Sequence, residues 1–278
     1  MLTSENNQIL TRVGPGTAMG GLFRHFWQPA LLSEELSGPD CPPVRVRLMG
    51  EDFVAFRDSA GRVGLLDSHC PHRLADLYFG RNEEGGLRCV YHGWKFSVTG
   101  EVLDMPSEPS ESPMRCNPNV RAKAYSVHEA GGIVWAYLGP VESIPPLPQM
   151  EFMGLPAANV YASKCLMKCN YQQALEGSID TAHLTFLHRS IGPMEKDVFG
   201  VGELQEFGDA DGAPRFFCED TEYGMRISAR REGSPDAYYW RITQFLMPFH
   251  SVIPPYGPNP TYNAQTMVPM DDENTVCW

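Results

Sequence analysis

Hydrophobic and polar positions alternate in short runs through the first half of the chain, which predicts β-strands there. Turns containing Gly, Ser or Asp separate these runs, and Thr99-Gly100 lies where a hairpin turn is expected. The runs that predict strands are 44–49, 53–56, 63–66, 95–98, 101–102, 120–127 and 133–138. The pattern therefore predicts one all-β domain of about 95 residues.

The second half combines one helical stretch with further strands. Residues 140–156 are rich in proline and predict a linker, and residues 170–188 show the strongest helical pattern in the chain. Turn-rich runs then predict an antiparallel meander over 203–207, 215–222, 225–230, 238–247 and 262–268. The predicted fold class is α+β, with an all-β domain followed by a helix and an antiparallel sheet.

Domain boundaries follow from these changes of pattern. The leading segment contains the turn Gly14-Pro15-Gly16, after which Thr17 is expected to cap a short helix through Phe26. The predicted division is an N-terminal segment 1–24, an all-β domain 25–140, a linker 141–156 and a second domain 157–278.

Composition and charge exclude several classes of protein. Hydrophobic residues make up 42% and charged residues 20% of the 278 positions, so the chain can bury a core and is not expected to be disordered. The net charge of -12 and the lack of a basic run argue against nucleic-acid binding. No apolar stretch reaches the roughly 20 residues that cross a bilayer, and the first residues do not resemble a secretory signal. We therefore expect a cytoplasmic protein without a membrane partner.

Two short boxes in the predicted all-β domain combine cysteine with histidine. Cys70 and His72 stand one residue apart, and Cys89 and His92 stand two residues apart. Both boxes fall at predicted strand ends, so two hairpin tips can present two thiolates and two imidazoles to one site. Tetrahedral zinc and a two-iron, two-sulfide cluster both use this set. The single residue between Cys70 and His72 is unusual for zinc, which favours the cluster.

The two boxes resemble the ligand pattern of Rieske proteins. The resemblance implies that Cys70 and Cys89 hold one iron of a [2Fe-2S] cluster, while His72 and His92 hold the other.

Three further positions indicate which branch of the Rieske class this sequence resembles. Rieske proteins of respiratory complexes carry an additional cysteine in each box, and the two form a disulfide. Ala75 and Tyr91 stand at those positions here, so the sequence resembles the oxygenase branch. Pro71 removes a backbone N–H between two ligands, and we expect a reduction potential below that of the respiratory type.

A second candidate site lies in the helical stretch, where Asp180, His183 and His188 occur close together. Two imidazoles and a carboxylate are the ligands of non-haem ferrous oxygenases. Two histidines on a helix are more often structural, but the Rieske pattern favours iron binding, because electron donation and O₂ activation are paired functions. On a regular α-helix, five residues place the histidines about 140° apart. We therefore predict a π-turn, a break or a helix end between them.

The resemblance assigns separate roles to these residues. In Rieske oxygenases the matching aspartate bridges the two metal sites, so Asp180 is the predicted catalytic residue. It is expected to accept a hydrogen bond from His183 and to contact His92 of a neighbouring subunit. The third ligand of the mononuclear Fe(II) would be a carboxylate beyond residue 278, so we expect the chain to be a fragment. Direct ligation by Asp180 stays open, as does substitution by Asp271, Asp272 or Glu273.

The whole sequence resembles the large oxygenase subunit of Rieske aromatic-ring-hydroxylating systems and, within them, the phthalate 4,5-dioxygenase group. The segments that carry this resemblance are 89–96, 104–109, 175–183 and 186–188. The resemblance implies an incomplete catalytic domain of the helix-grip type. It also implies O₂ and a small aromatic substrate, including carboxylated, phthalate-like rings, with a separate reductase of the flavin or ferredoxin type. A homotrimer or a multiple of it is expected.

Three functions stay open at this point. The first is an aromatic oxygenase, with O-demethylation of methoxylated aromatics or biaryls as an alternative reaction. The second is an electron-transfer protein whose mononuclear site is incomplete. The third is a zinc-stabilised binding domain without redox chemistry.

Overall fold

The computed structural model describes residues 2–188, 207–208, 210–254 and 261–278. The chain divides into two units, of which the first contains Met1–Lys164 and Pro269–Asn274, and the second contains Cys165–Val268 and Thr275–Trp278. The second unit of the structure begins at Cys165, inside the range 157–278 of the predicted second domain. Residues just before this point belong with the first unit, where the Lys164 ammonium lies 2.5 Å from the Glu35 carboxylate.

The first unit is built mainly from antiparallel strands. Its helices are α1 Ser4–Thr11 and α2 Ala18–Phe23. Its strands are β1 Trp27–Leu32, β2 Val44–Leu48, β3 Glu51–Arg57, β4 Val63–Asp67, β5 Arg81–Glu83, β6 Gly86–Arg88, β7 Lys95–Phe96, β8 Val102–Asp104, β9 Ala124–Ala130 and β10 Ile133–Tyr137. A six-stranded sheet has the order β1-β10-β9-β4-β3-β2, and a four-stranded sheet has the order β5-β6-β7-β8.

The beginning of the chain shows both agreement and disagreement with the sequence pattern. The Thr17 hydroxyl accepts the Gly20 N–H, as the predicted cap requires, but α2 ends at Phe23 rather than at Phe26. The pattern does not predict β1, because Trp27–Leu32 is buried at five consecutive positions and lacks polar alternation.

One buried cluster joins the two sheets of the first unit and fixes the positions of two predicted ligands. Its members are Val54, Phe56, Leu66, Cys70, Leu77, Leu87, Cys89, Trp94, Phe96, Met105 and Ala122. Because the cysteines of both boxes belong to this close-packed cluster, core packing holds their thiols in place.

The segment Pro269–Asn274 completes the first unit from a distant part of the sequence. The Met49 N–H donates to the Pro269 carbonyl at 3.0 Å, and the Gly50 N–H donates to the Met270 carbonyl at 2.7 Å. The turn between β2 and β3 therefore depends on residues more than two hundred positions further along the chain.

The second unit places helices beside an antiparallel sheet. The helices are α3 Tyr171–Ile179 and α4 Leu184–Leu187. The strands are β11 Cys165–Met167, β12 Arg215–Thr221, β13 Gly224–Glu232, β14 Tyr238–Leu246, β15 His250–Ile253, β16 Asn263–Pro269 and β17 Thr275–Cys277, in the sheet order β11-β17-β16-β15-β14-β13-β12. The predicted strand over 203–207 lies outside the described residues except for Phe207. The predicted α+β class is confirmed.

Helix α3 packs on one face of this sheet. Ala174 and Leu175 are buried together with Met267 of β16. Near the end of α3, the Ser178 hydroxyl donates to the Gln265 side chain at 2.8 Å. These contacts fix the point at which the chain leaves α3. In the ranges that the structure describes, no helix is both long and apolar enough to cross a membrane.

The prediction of one helical stretch over 170–188 is wrong. Helix α3 ends at Ile179, residues 180–183 leave the helix, and α4 is a single turn. The Asp180 carboxylate accepts the backbone N–H groups of Ala182 and His183, and so competes with the helix for these donors. A helix end does lie between the two histidines, at Leu187, but the larger break precedes His183.

Candidate metal centres

The two Cys/His boxes of the first unit form loops with the same backbone hydrogen bonds. The Cys70 N–H donates to the Ala75 carbonyl at 2.8 Å, and the Cys89 N–H donates to the Trp94 carbonyl at 2.8 Å. In each loop, the fourth residue after the cysteine donates its N–H back to the cysteine carbonyl, at 2.9 Å and 3.1 Å. Two equivalent loops therefore present the four predicted ligands.

Each loop contains one residue in the left-handed region. Leu74 has φ 56° in the first loop, and Gly93 has φ 75° at the equivalent place in the second. A Cβ atom at Gly93 would lie 2.6 Å from Cγ of Pro106, whereas the exposed Leu74 accommodates its side chain. The second loop therefore requires glycine for both its conformation and its space.

We expect Gly93→Ala to destabilise the first unit by about 1–3 kcal/mol, because the substitution combines backbone strain with a close contact. Gly85→Ala is the matched control, since Gly85 has φ 79° but open space around it. Gly85→Ala introduces the backbone strain without a close contact, and it should lower the free energy of unfolding by about 1 kcal/mol. Chemical unfolding of the cluster-loaded protein measures both values, and equal losses would contradict the contact with Pro106.

The two thiols of this site are buried and close together. Cys70 is 2% exposed and Cys89 is 3% exposed. Burial, opposed by the backbone N–H of His72 and assisted by the neighbouring Cys89 thiol, raises the pKa of Cys70 to about 11. A positively charged metal centre is therefore needed to hold Cys70 as a thiolate.

The two imidazoles of this site lie against each other and against a tryptophan. The ring centroids of His72 and His92 are 4.5 Å apart, and the His72 ring stacks on Trp94 at 4.5 Å with 3° between the planes. Burial and the nearby His92 lower the pKa of His72, which favours the neutral, metal-binding form. The Trp94 indole N–H donates to the Ser107 hydroxyl at 3.1 Å, so the ring that supports His72 is itself fixed.

The donor set fits a [2Fe-2S] cluster. Nδ1 of His72 is buried and has no hydrogen-bond partner among the described residues, as expected of an atom reserved for a metal. The two buried thiols and the two neighbouring imidazoles also form the set in which each iron of such a cluster takes two protein ligands.

Arg88 supports the second loop from the preceding strand, and the sequence pattern does not identify it. Its guanidinium donates to the Gly93 carbonyl at 2.7 Å and to the carboxylates of Asp104 and Glu83 at 2.8 Å and 2.7 Å. The hydrogen bond to Asp104 raises the pKa of Arg88 despite partial burial, so the charge is retained. An arginine directly before a ligand box is the only sequence signal of this role.

In the second unit, Asp180 organises the turn between α3 and α4. Its carboxylate accepts the Ala182 N–H at 2.9 Å and the His183 N–H at 3.1 Å, and it lies 2.9 Å from Nδ1 of His183. Burial opposes ionisation of Asp180, but the hydrogen bonds from Ala182 and His183 outweigh it and lower the pKa of the carboxyl. The ionised Asp180 thus holds the proton of His183 on Nδ1 and leaves Nε2 as its metal-binding atom.

The two histidines of this site flank a single helical turn. His183 lies at the N-terminal cap of α4 and His188 at its C-terminal cap, and their ring centroids are 5.2 Å apart. The structure therefore brings the two predicted imidazoles together and places Asp180 behind one of them. Asp180 is positioned as the hydrogen-bond acceptor of His183.

The carboxylates near the end of the chain make contacts within the first unit. Asp271 lies 3.1 Å from Nε of Arg47, and Asp272 lies 2.7 Å from Nη1 of Arg12. These ion pairs explain why both residues belong to that unit. They give no support to the weaker alternative that Asp271 or Asp272 replaces the third iron ligand.

Two family models match the chain. The model described as the Rieske [2Fe-2S] domain matches residues 26–125, which include all four predicted ligands of the first site. The model described as LigXa C-terminal domain like matches residues 136–278, which include Asp180, His183 and His188. Of the two metal centres that the sequence leaves open for the first site, the match supports the cluster.

The chain is also similar to curated proteins over nearly its whole length. It is 43% identical to the 3-chlorobenzoate-3,4-dioxygenase oxygenase subunit of Comamonas testosteroni, covering 99% of this chain and 62% of that protein. It is 43% identical to the phthalate 4,5-dioxygenase oxygenase subunit of Pseudomonas putida, covering 99% of this chain and 63% of that protein. The 5,5'-dehydrodivanillate O-demethylase oxygenase subunit of Sphingobium sp. is 42% identical, with 99% of this chain and 62% of that protein covered. The chain therefore spans less than two thirds of the length of these relatives.

The fold matches solved structures as well. A crystal structure of dicamba monooxygenase bound to 3,6-dichlorosalicylic acid has a TM-score of 0.71 at 18% identity, covering 91% of this chain and 76% of that one. The resemblance predicted from the two boxes and the Asp180–His188 segment is confirmed. The chain belongs to the Rieske oxygenase family, with a Rieske [2Fe-2S] domain followed by a LigXa C-terminal-like domain.

Proposed function

We propose that this chain belongs to the oxygenase component of a multicomponent Rieske system, which uses O₂ and electrons from a separate reductase to hydroxylate an aromatic substrate. The observation that carries this proposal is the presence in one chain of the Cys/His set with its two buried thiols and the Asp180–His183–His188 arrangement. Two relatives that are 43% identical are named as oxygenase subunits of aromatic dioxygenases, which supports the proposal. The reductase is expected to be of the flavin or ferredoxin type, and a cytoplasmic location stays a prediction.

The residues divide between two metal centres. Cys70 and Cys89 would hold one iron of the [2Fe-2S] cluster, and His72 and His92 the other; His183 and His188 would hold a mononuclear Fe(II). When bound, these centres supply one-electron transfer and O₂ activation.

The chain's own residues shield the thiols and orient several ligands. Burial of both thiols and the stacking of Trp94 on one face of the His72 ring keep solvent from that part of the cluster site. The Asp180 carboxylate accepts a hydrogen bond from Nδ1–H of His183 and so orients the Nε2 lone pair. The two thiols, His72 and His183 are therefore held before any metal is bound, which reduces the reorganisation that electron transfer requires.

We propose that Asp180 also connects the two centres between subunits, as the family resemblance implies. The Asp180 side chain is 39% exposed although it bonds to His183, so one side of the carboxylate can accept a further donor. His92 is partly exposed and can supply that donor from a neighbouring subunit. This arrangement requires an oligomer, and a homotrimer or a multiple of it is expected.

We expect Asp180→Asn to keep the mononuclear iron but to block electron transfer into it, because the neutral amide oxygen accepts a weaker hydrogen bond from His183 than the carboxylate does. Iron analysis and the single-turnover oxidation of the pre-reduced cluster in the presence of O₂ and substrate measure the two effects separately. Asp236→Asn, at an exposed position of the same unit, is the control and should change neither. Loss of iron in Asp180→Asn would instead identify Asp180 as a direct ligand.

The proposed function is tested by turnover of the purified protein with a reductase, O₂ and a set of aromatic substrates. Hydroxylated product together with about three irons and two sulfides per chain supports it. A reducible cluster without any product would identify an electron-transfer protein, and zinc without sulfide would identify a binding domain. O-demethylation is the second candidate reaction, which the relative named as a 5,5'-dehydrodivanillate O-demethylase subunit supports; formaldehyde release from methoxylated substrates detects it.

A further inference from the structure

A charged residue occupies the buried face of β13. Ile227, Ala229 and Arg231 alternate with more exposed residues along this strand and are all buried. Arg231 is only 1% exposed, at a position where the pattern calls for an apolar residue. Burial of a charge is costly unless hydrogen bonds compensate it, so the contacts of this guanidinium are informative.

Arg231 donates hydrogen bonds to backbone and hydroxyl oxygens of two loops. Nη2 lies 2.5 Å from the Thr181 carbonyl, Nη1 lies 3.2 Å from the Thr181 hydroxyl, and Nε lies 3.1 Å from the Asp211 carbonyl. Thr181 itself is 2% exposed. The guanidinium therefore ties residue 181 and residue 211 to the sheet through three N–H groups.

The contact between Arg231 and Thr181 matters because Thr181 lies next to the predicted iron-site residues. Thr181 lies between Asp180 and His183, in the stretch where the backbone has left α3 and has not yet entered α4. The Thr181 carbonyl lies outside both helices, and the Arg231 guanidinium supplies a hydrogen-bond donor for it. The Asp180 carboxylate closes the same turn from inside, through Ala182 and His183. Two separate sets of hydrogen bonds thus hold the residues that present Asp180 and His183.

We propose that Arg231 is a positioning residue for the mononuclear iron site. Its guanidinium fixes the 180–183 turn so that the His183 ring faces the His188 ring and the Asp180 carboxylate stays behind His183. This inference rests on the proposed function, because it takes His183 and His188 as the iron ligands. Lysine cannot replace arginine in this role, since a single ammonium cannot reach the Thr181 and Asp211 carbonyls together in the planar geometry of the fork.

The test compares the affinity of the mononuclear site for Fe(II) in three variants of the cluster-loaded chain. Arg231→Lys keeps the charge and removes the fork, Thr181→Val removes one of the three acceptors, and Arg230→Lys is the matched control on the same strand. Arg230 points to the other face, where it lies over the Tyr238 ring at 4.1 Å. Competition with a chelator gives the affinity, and the electron paramagnetic resonance spectrum of the Fe(II)–nitric oxide adduct reports the ligand geometry.

We expect Arg231→Lys to weaken Fe(II) binding by about ten- to a hundredfold and to change the adduct spectrum, because orienting partners of metal ligands have effects of this size. Thr181→Val should show a smaller loss in the same direction, and Arg230→Lys should show none. The signal of the reduced cluster should be unchanged in all three variants.

Wild-type affinity and spectrum in Arg231→Lys would overturn the inference. If Arg231→Lys does not fold, the Thr181→Val variant decides the question. An Fe(II) affinity equal to that of Arg230→Lys, at an unchanged melting temperature, would overturn the inference. A loss of Fe(II) affinity in Thr181→Val alone would support it. Failure of the proposed function would look different. The unsubstituted protein would then bind no more Fe(II) than the His183→Ala variant does.

Discussion

Replacing Cys89 with serine is expected to remove the cluster and the red-brown colour of the protein. The Cys89 thiol is buried beside Cys70, and serine supplies a hard hydroxyl that does not replace a thiolate ligand of iron. About two irons and two sulfides per chain should be lost, and reductase-dependent turnover should fall to background because electrons no longer enter. Metal and acid-labile sulfide analysis, with the visible absorption spectrum, measures the change.

Cys116→Ser is the matched control for this experiment. Cys116 is an exposed, free cysteine in the same unit, so its substitution should leave iron, sulfide and colour unchanged. A full cluster in Cys89→Ser would contradict the ligand assignment of the second box. Loss of the cluster in both variants would show instead that cluster assembly is sensitive to any cysteine substitution.

Replacing His183 with alanine is expected to abolish the proposed hydroxylation while the cluster stays intact. The substitution removes one of two imidazoles whose rings lie 5.2 Å apart, and it also leaves Asp180 without its imidazole partner. About one iron per chain should be lost, with two irons and two sulfides retained. Iron analysis, the spectrum of the reduced cluster and product formation together give this result.

The control for this second substitution is His128→Ala. His128 lies on β9, is exposed, and is not part of either ligand set. Its substitution should keep both iron and turnover. Product formation by His183→Ala at the unsubstituted rate would remove this residue from the active centre.

The ligand boxes could be predicted from the sequence because they are local. Cys70 and His72, like Cys89 and His92, are separated by fixed short spacings, and each box is closed by hydrogen bonds within six residues. Short loops of this kind carry their geometry in the sequence itself. Strand alternation was equally informative where one face of a strand meets solvent, as in β13.

The rest depends on contacts that sequence patterns do not contain. The helical pattern over 170–188 does not indicate that the Asp180 carboxylate accepts the N–H groups of Ala182 and His183 and so ends the helix. Trp94 and Arg231 look like an ordinary core aromatic and an ordinary strand arginine until their partners are known. Their roles arise from stacking on His72 and from bonding to Thr181, which are distant or cross-strand contacts.

The return of Pro269–Asn274 to the first unit has a consequence for the order in which the protein can fold during synthesis. The backbone donors of Met49 and Gly50 receive their acceptors only when residues 269 and 270 have left the ribosome. By then the chain through β16 has already emerged, so this turn is completed only after most of the second unit has been translated. A fragment cut at Lys164 would lack both acceptors, and we expect the isolated first unit to be less stable than the same unit in the longer chain.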